Sequence, residues 1–392
     1  QPFINGLDLS ENFYRDVVQP LLDKHFPDLQ YSAALLGNGS EILGFDTAQS
    51  MDHDWGPRLM LFLSQADHDR LKSPIDQMLR TQLPSEYAGI STNFIIHESG
   101  SSVLDPSAGK EINHKVSILT TEAFCEHFLR FDPFGKIKAA DWVRIPANHL
   151  LMMTAGRVFY DGLSIDGLSI DGLGKKGLGE KGLGKKGLGK QGLGKKRLGK
   201  LGHMRQAVAY YPHDVWLYLL SAQWSRIGQE EHFVGRCGQV GDELGSRLVA
   251  ARLVSDLMRL CFLMERKYPP YIKWYGSAFA RLNCAQTMLP ILNQVLNGQS
   301  WQERQVHLSA AYETVAQLHN DLGITTQLEA KVSPFHDRPF LIIHAERFAE
   351  AIYNQIKDEA VLQLPRNLGS FDQFVDSTDA QQYLDRFESI FG

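Results

Sequence analysis

Cysteine is scarce in this chain: Cys125, Cys237, Cys261 and Cys284 are scattered over 392 positions, with no CxxC pair and no close Cys/His spacing. That pattern excludes a disulfide framework and a zinc site readable from sequence, and it predicts reduced, buried or inert thiols. The 14 histidines contain no HExxH. Long apolar runs are also missing: stretches such as Leu59–Leu63 and Phe340–Ile343 fall far short of the ~20 residues a membrane helix needs. No charged segment leading into an apolar one opens the chain, so a cytoplasmic protein without a membrane span is expected. Net charge is only −5, but the figure conceals an asymmetry. Residues 161–200 hold ten Lys/Arg and four Asp/Glu, leaving 30 against 41, or −11, for the rest. An acidic remainder argues against a general nucleic-acid-binding surface.

Hydrophobic residues at 43% and charged residues at 22% are ordinary for a globular protein, and the length suits two or three domains. Ser10 reads as a helix N-cap before Phe13, Val17, Val18, Leu21 and Leu22, which recur at helical spacing. Tyr31–Gly37, Leu59–Ser64, Thr92–His97 and Val116–Thr120 read as strands. Asp67–Leu83 reads as helix, and so does Glu122–Arg130 with Thr121 as its cap. The expected fold class is α+β: a small mixed-sheet domain over 1–135, then a helical connection over 136–160. A mostly helical domain over 201–392 follows, with Val215–Arg226, Gly245–Tyr268 and Trp301–Asn320 as its long helices.

Between them lies a pentapeptide tract, residues 161–200, that runs DGLSI, DGLSI, DGLGK, KGLGE, KGLGK, KGLGK, QGLGK, KRLGK and contains 13 glycines. A period of five matches neither the 3.6 of a helix nor the 2.0 of a strand, so no continuous face forms. A flexible, solvated insertion is the expectation, with a tether for RNA or a membrane surface as the alternative.

Chemistry concentrates in Leu36-Gly37-Asn38-Gly39-Ser40 and, after eleven intervening residues, in Asp52-His53-Asp54, which leads into Leu59–Leu63. On a strand, Asp52 and Asp54 would present two carboxylates on one face. Such a pair suits Mg²⁺, a hard cation that shares its coordination sphere with substrate phosphates. Gly39 would let backbone N–H groups approach a triphosphate, Ser40 would bond a phosphate oxygen, and a helix starting at Ser40 would add its dipole. A second Asp-His-Asp at 67–69 opens a helical pattern, where acidic residues are unremarkable.

The order of these motifs resembles the signature of the polymerase-β-like nucleotidyltransferase superfamily. The string GNGSEILGFDTAQSMDHDWGPRLMLFL is similar to a bacterial branch catalogued as a domain of unknown function. The likeness continues in Phe159-Tyr160-Asp161, Tyr211–Trp216, Gly241–Ser246 and Pro270–Trp274. It implies a Mg²⁺-dependent enzyme that moves NMP from an NTP, with ATP the expected donor, to an acceptor hydroxyl. Carried over, Gly39 and Ser40 would bind phosphate, and Asp52 and Asp54 would bind the metal and be catalytic. Lys273, within Tyr-Ile-Lys-Trp, would reach the triphosphate, unless its stem merely packs on Trp274. Asp242 is expected to cap a helix. The acidic fold favours a small-molecule acceptor, placed between the two domains, over tRNA. The pattern departs at Val116–Thr120, where a third carboxylate is expected and none stands; Glu111 and Glu122 flank the gap. That gap motivates the alternative of a catalytically weakened nucleotide-binding or regulatory module.

Overall fold

The computed structural model describes residues 3–97, 101–107, 109–164, 198–375, 377 and 384. Helix α1 (Gly6–Phe13) is capped by Asn5, whose side chain accepts from the Leu7 amide, so Ser10 lies inside the helix and buried rather than capping it. The chain then widens into a π-helical turn, Tyr14–Val18, before α2 (Gln19–His25). Pro20 sits in the first turn of α2, and a widened turn just before it absorbs the amide that proline lacks.

Strand β1 (Tyr31–Leu35) precedes β2 (Arg58–Leu63), and α3 (Gln65–Gln82) starts on Ser64, whose hydroxyl accepts from the Asp67 amide. Two short hairpins follow: β3 (Glu86–Tyr87) with β4 (Ile90–Ser91), and β5 (Phe94–Ile96) with β6 (Ser102–Leu104). Then come β7 (Lys115–Thr120), α4 (Thr121–Phe128), α5 (Ala139–Arg144), α6 (Ala147–Thr154) and β8 (Arg157–Asp161). The cap of α4 is the Thr120 hydroxyl, which accepts from the Ala123 amide, one residue before the position expected.

The remainder is helical: α7 (Lys200–Ala207), α8 (His213–Glu230), α9 (Phe233–Gln239), α10 (Glu243–Met264), α11 (Ile272–Phe279), α12 (Ala285–Asn297) and α13 (Trp301–Asp321). After a two-residue pair, β9 (Ser333–Pro334) and β10 (Leu341–Ile342), the chain ends its regular structure with α14 (Glu346–Tyr353) and α15 (Glu359–Leu362). The architecture is α+β, an N-terminal mixed sheet followed by a mostly helical region. No described helix is long and apolar enough to cross a membrane.

The chain divides into two compact units: Gln1–Phe124 with Gly156–Gln206, and Cys125–Ala155 with Ala207–Gly392. In the first, the sheet order is β7-β2-β1-β8, with β2 and β7 parallel and β1 antiparallel to both its neighbours. Alternation puts Leu59, Leu61 and Leu63 of β2 and Val116 and Ile118 of β7 on one face. That face packs on Phe13, Tyr14, Val18 and Leu22 from the N-terminal helices and on Ile75, Met78 and Leu79 of α3. Phe62 points to the opposite face and meets Phe124 edge-on, centroids 5.6 Å apart.

The expectation for the pentapeptide tract falls mostly on residues 165–197, outside the described residues. Its two ends are pinned together, however. Asp161 accepts from Ser32 Oγ at 2.8 Å, Leu201 N at 3.2 Å and Gly202 N at 2.9 Å, and Lys200 N donates to Leu163 O at 2.8 Å. Replacing 165–197 by a few residues should therefore leave this unit folded. Loop closure costs about 0.6 kcal/mol less per halving of length, so the Tm should be unchanged or slightly raised. A thermal scan showing a lower Tm would give the tract a packing role.

In the second unit Trp216 and Trp224 are fully buried, as core aromatics should be, and Asp242 caps α10 by accepting from Gly245 N at 2.7 Å. Cys125, Cys261 and Cys284 are buried, and none of the four cysteines is in a disulfide. Glu231, at the end of α8, accepts from Ile343 N at 2.8 Å and Ala345 N at 3.0 Å. Burial pushes its carboxyl up to about 7, against the pull of these amides. Its folded pKa lies above its unfolded one, so the unfolded chain holds fewer protons between about pH 4.5 and 7. Stability of this unit should fall as pH rises through that window, by up to about 3 kcal/mol at ~1.4 kcal/mol per unit. Glu231→Gln should flatten that slope in pH-resolved denaturant titrations.

Candidate functional site

The ends of two neighbouring strands set up the site. Antiparallel pairing of β1 with β2 runs from Tyr31↔Leu63 to Ala34↔Met60, so the exit of β1 and the entry of β2 lie at one end of the sheet. The Gly37–Ser40 turn leaves from that end, and the Asp52–Pro57 segment arrives there.

Gly37 and Gly39 adopt φ of 86° and 149°, conformations that disfavour a side chain. A Cβ on Gly39 would lie 2.4 Å from Arg58 Nη2 and 2.5 Å from Glu41 Oε2, so glycine also makes room for an ion pair. Arg58, the first residue of β2, donates Nε to Glu41 Oε1 at 2.7 Å and Nη2 to Asn38 O at 2.8 Å, and also pairs with Glu41 through Nη2. The Glu41 side chain is only 3% exposed. After Ser40 the chain makes a single turn, closed by Leu43 N to Gly39 O at 3.3 Å and Phe45 N to Ser40 O at 2.8 Å. The helix considered at Ser40 is thus one irregular turn, because Gly44 takes φ of 68° and ends it. Ser40 is half-buried, and its hydroxyl has no protein partner among the described residues.

Asp46 fastens this loop. It accepts from Asn5 Nδ2 at 2.5 Å, Gly6 N at 2.8 Å and the buried Trp55 Nε1 at 3.2 Å.

The two aspartates do not sit on a strand. Asp52 ends a 3-10 turn, Ala48–Asp52, and β2 begins only at Arg58. The expected alternation fails because Asp54 takes φ of 52° and Gly56 takes φ of 140°, and Pro57 has no amide to donate to a ladder. Asp52 is exposed, and its Oδ1 contacts the amide and Nδ1 of His53, each at 3.0 Å. Asp54 is tied to β6: its amide donates to Ser102 O at 2.7 Å, and its Oδ1 accepts from Ser102 N at 3.1 Å and Ser102 Oγ at 2.7 Å. Lys115 Nζ stands 3.7 Å from the same oxygen, while Oδ2 has no hydrogen-bond partner among the described residues. Partial burial works to raise the Asp54 carboxyl. The Ser102 hydrogen bonds and the charges of Lys115 and Arg58 outweigh it, so the carboxyl stays below the usual range.

The structure therefore gathers Gly39, Glu41 and Arg58, and gathers Asp54, Ser102 and Lys115. Register links the two groups, since Arg58 pairs with Lys115 across β2 and β7. Neither flanking acid fills the gap on β7. Glu111 accepts from Gln77 of α3 at 3.1 Å. Glu122 pairs with Lys200 beyond the far end of β7, five residues or about 17 Å of strand from Lys115. Among the described residues no three His, Cys, Asp or Glu side chains are grouped to hold a metal ion.

Lys273 lies at the start of α11 in the second unit, exposed, with Nζ 5.2 Å from the centre of the Trp274 ring. Glu41, Asp46, Arg58, Ser102 and Lys115 escaped the sequence reading. The signal for three of them was a charge directly beside a motif or an apolar strand.

A family model described as a domain of unknown function (DUF4037) matches residues 195–275. That segment, 81 of 392 residues, holds Tyr211–Trp216, Gly241–Ser246 and Pro270–Trp274 and does not include the Gly39–Asp54 region. Among curated proteins nothing matches.

Proposed function

We propose that the first unit binds an NTP with Mg²⁺ at the end of its sheet, and that the protein transfers NMP to an acceptor hydroxyl as a polymerase-β-like nucleotidyltransferase. The observation that supports this reading is convergence. The Gly-Asn-Gly-Ser turn and the Asp52–Asp54 loop meet at the β1/β2 end, tied to each other through Arg58 and its strand partner Lys115.

The donor chemistry fits the metal: Asp52 offers an exposed carboxylate and Asp54 its Oδ2, and Mg²⁺ binds through one or two carboxylates plus phosphates and water. When bound, the ion would supply charge neutralisation at the triphosphate. Gly39, lacking a side chain, lets backbone come close to a phosphate, and the unpartnered Ser40 hydroxyl donates to a phosphate oxygen. Arg58 is held by Glu41 and keeps the turn in place through Asn38. Asp54 stays ionised at neutral pH because Ser102 and Lys115 stabilise its charge. ATP as donor and a small molecule rather than RNA as acceptor are part of the same proposal.

One observation favours a second reading, a nucleotide-binding module with weakened chemistry: a cation, Lys115, begins the strand on which the superfamily pattern places an acid. General-base catalysis contributes about 10²–10⁴-fold, so such a module would bind NTP yet turn over slowly. Incubation with each NTP labelled at the α- or γ-phosphate, Mg²⁺ and cell extract tests both. NMP transfer moves only the α label onto an acceptor. Binding with no transfer supports the second reading, and transfer of the γ label contradicts both.

A further inference from the structure

Asp54 has two carboxylate oxygens, and the fold has already used one. Oδ1 accepts from Ser102 N at 3.1 Å and Ser102 Oγ at 2.7 Å, and Lys115 Nζ stands 3.7 Å from it. Ser102 is fully buried on β6, so water does not compete for either donor. The hairpin that carries it is fixed to the segment just before β7: Phe94 N donates to Asn113 O at 2.9 Å, and Asn113 Nδ2 donates to Phe94 O at 2.7 Å. Strand alternation turns Lys115 away from the core face that Val116 and Ile118 fill, to the side it shares with Arg58. Sheet and hairpin together thus bring the serine and the ammonium to the same oxygen.

A carboxylate oxygen has about two lone-pair sites, and the two Ser102 donors fill those of Oδ1. A divalent cation placed there would also be repelled by the Lys115 ammonium at close range. Oδ2 alone stays open. Two-metal sites hold their ions about 3.5–4 Å apart, and a carboxylate that serves both ordinarily gives an oxygen to each. Asp54 has one oxygen to give. Lys115 meets Asp54 at ion-pair distance without a hydrogen bond, so its three N–H donors remain for phosphate oxygens, which lysine binds as a point charge.

We propose that Ser102 and Lys115 restrict this site to one divalent cation per bound NTP, with the Lys115 ammonium supplying at the phosphates the positive charge of a second. The inference deepens the NTP reading of the same site and rests on it. The cation on β7 is then part of the binding site whether the chemistry is active or weakened.

Equilibrium dialysis of the full chain against Mn²⁺ and a non-hydrolysable ATP analogue, counting both per chain, tests this. Wild type should saturate at one Mn²⁺ per bound nucleotide. Lys115→Met should keep that ratio and bind the analogue roughly tenfold more weakly, the loss expected for one charged hydrogen bond. Lys115→Glu should bring the ratio to two, because it removes the ammonium and adds a carboxylate. The Lys115 side chain is 30% exposed, so both variants should fold. Two saturable ions in wild type, a ratio of one retained by Lys115→Glu, or unchanged affinity in Lys115→Met would overturn the inference while leaving NTP binding in place. No nucleotide-dependent Mn²⁺ binding by wild type would remove the proposed function and the inference together.

Discussion

Asp52→Asn should lower Mg²⁺-dependent NTP turnover at least about 100-fold while leaving the Tm within about 2 °C of wild type. The first half follows from the role proposed for Asp52. Losing a partner one shell out from a metal typically costs 10–100-fold, and losing a ligand should cost no less. The second half follows from its surroundings. Asp52 has a side chain 66% exposed and, among the described residues, bonds only its neighbour His53, from whose amide an asparagine oxygen can still accept. Surface changes of this kind stay within about 0.5 kcal/mol. Asp54→Asn should lower turnover similarly. It keeps an acceptor for Ser102 but loses the attraction of Lys115. Because its carboxyl is depressed in the folded state, wild type should gain a small stability advantage over Asp54→Asn above the ordinary aspartate pKa. That advantage should vanish as pH falls through the folded value. Kinetics and thermal scans on the two variants check both halves. A clear fall in Tm for Asp52→Asn with unchanged Mg²⁺ dependence would make the residue structural.

The largest stability effect should come from Glu41→Ala. It removes the counterion of Arg58, a guanidinium only 17% exposed, and leaves that charge facing the Gly39 turn. Breaking one side of a buried pair costs about 3–5 kcal/mol, which for a unit of this size lowers Tm by roughly 10 °C. Replacing both partners should be much milder: Glu41→Leu with Arg58→Met should recover at least half of the loss, because no buried charge is then left unpaired. Turnover should fall in both variants: the double variant removes the anchor of the Asn38 carbonyl, and Glu41→Ala leaves that anchor, Arg58, without the carboxylate that holds it. A single-variant loss under about 1 kcal/mol would show that the pair is incidental to the fold.

Most of the sheet and the long helices were legible because alternation and helical spacing are local signals. Leu59, Leu61 and Leu63 announced β2, and the helical pattern from Asp67 announced α3, whose cap, Ser64, read as the end of the strand. What was not legible depends on distant partners or unusual backbone. Strand β8 pairs with β1 across more than a hundred residues, so nothing near Arg157–Asp161 marked it as sheet rather than as part of a helical connection. Thr120 rather than the adjacent Thr121 caps α4, since the two differ only in backbone angle, and Asn5 rather than Ser10 caps α1, because the helix starts a turn earlier than the apolar spacing from Phe13 onward indicates. At the candidate site, residue types and order were readable while conformation was not. A positive φ at Asp54 has no sequence signature of its own, although Gly56-Pro57 just beyond it is a poor start for a paired strand. Lys115, the cation beside Asp54, was visible only as a flanking residue of a strand searched for acids.

In the proposed function the Gly39-Ser40 turn and the Asp52–Asp54 loop hold one metal–nucleotide complex. Manganese in place of magnesium tests it at the level of residues, through the paramagnetic broadening of amide signals in the full chain with NTP present. Gly39, Ser40, His53 and Asp54 should broaden together, Asp161 and Gly202 at the opposite end of β1 should not, and EDTA should reverse the effect. Broadening at only one of the two loops, or at neither, would contradict it.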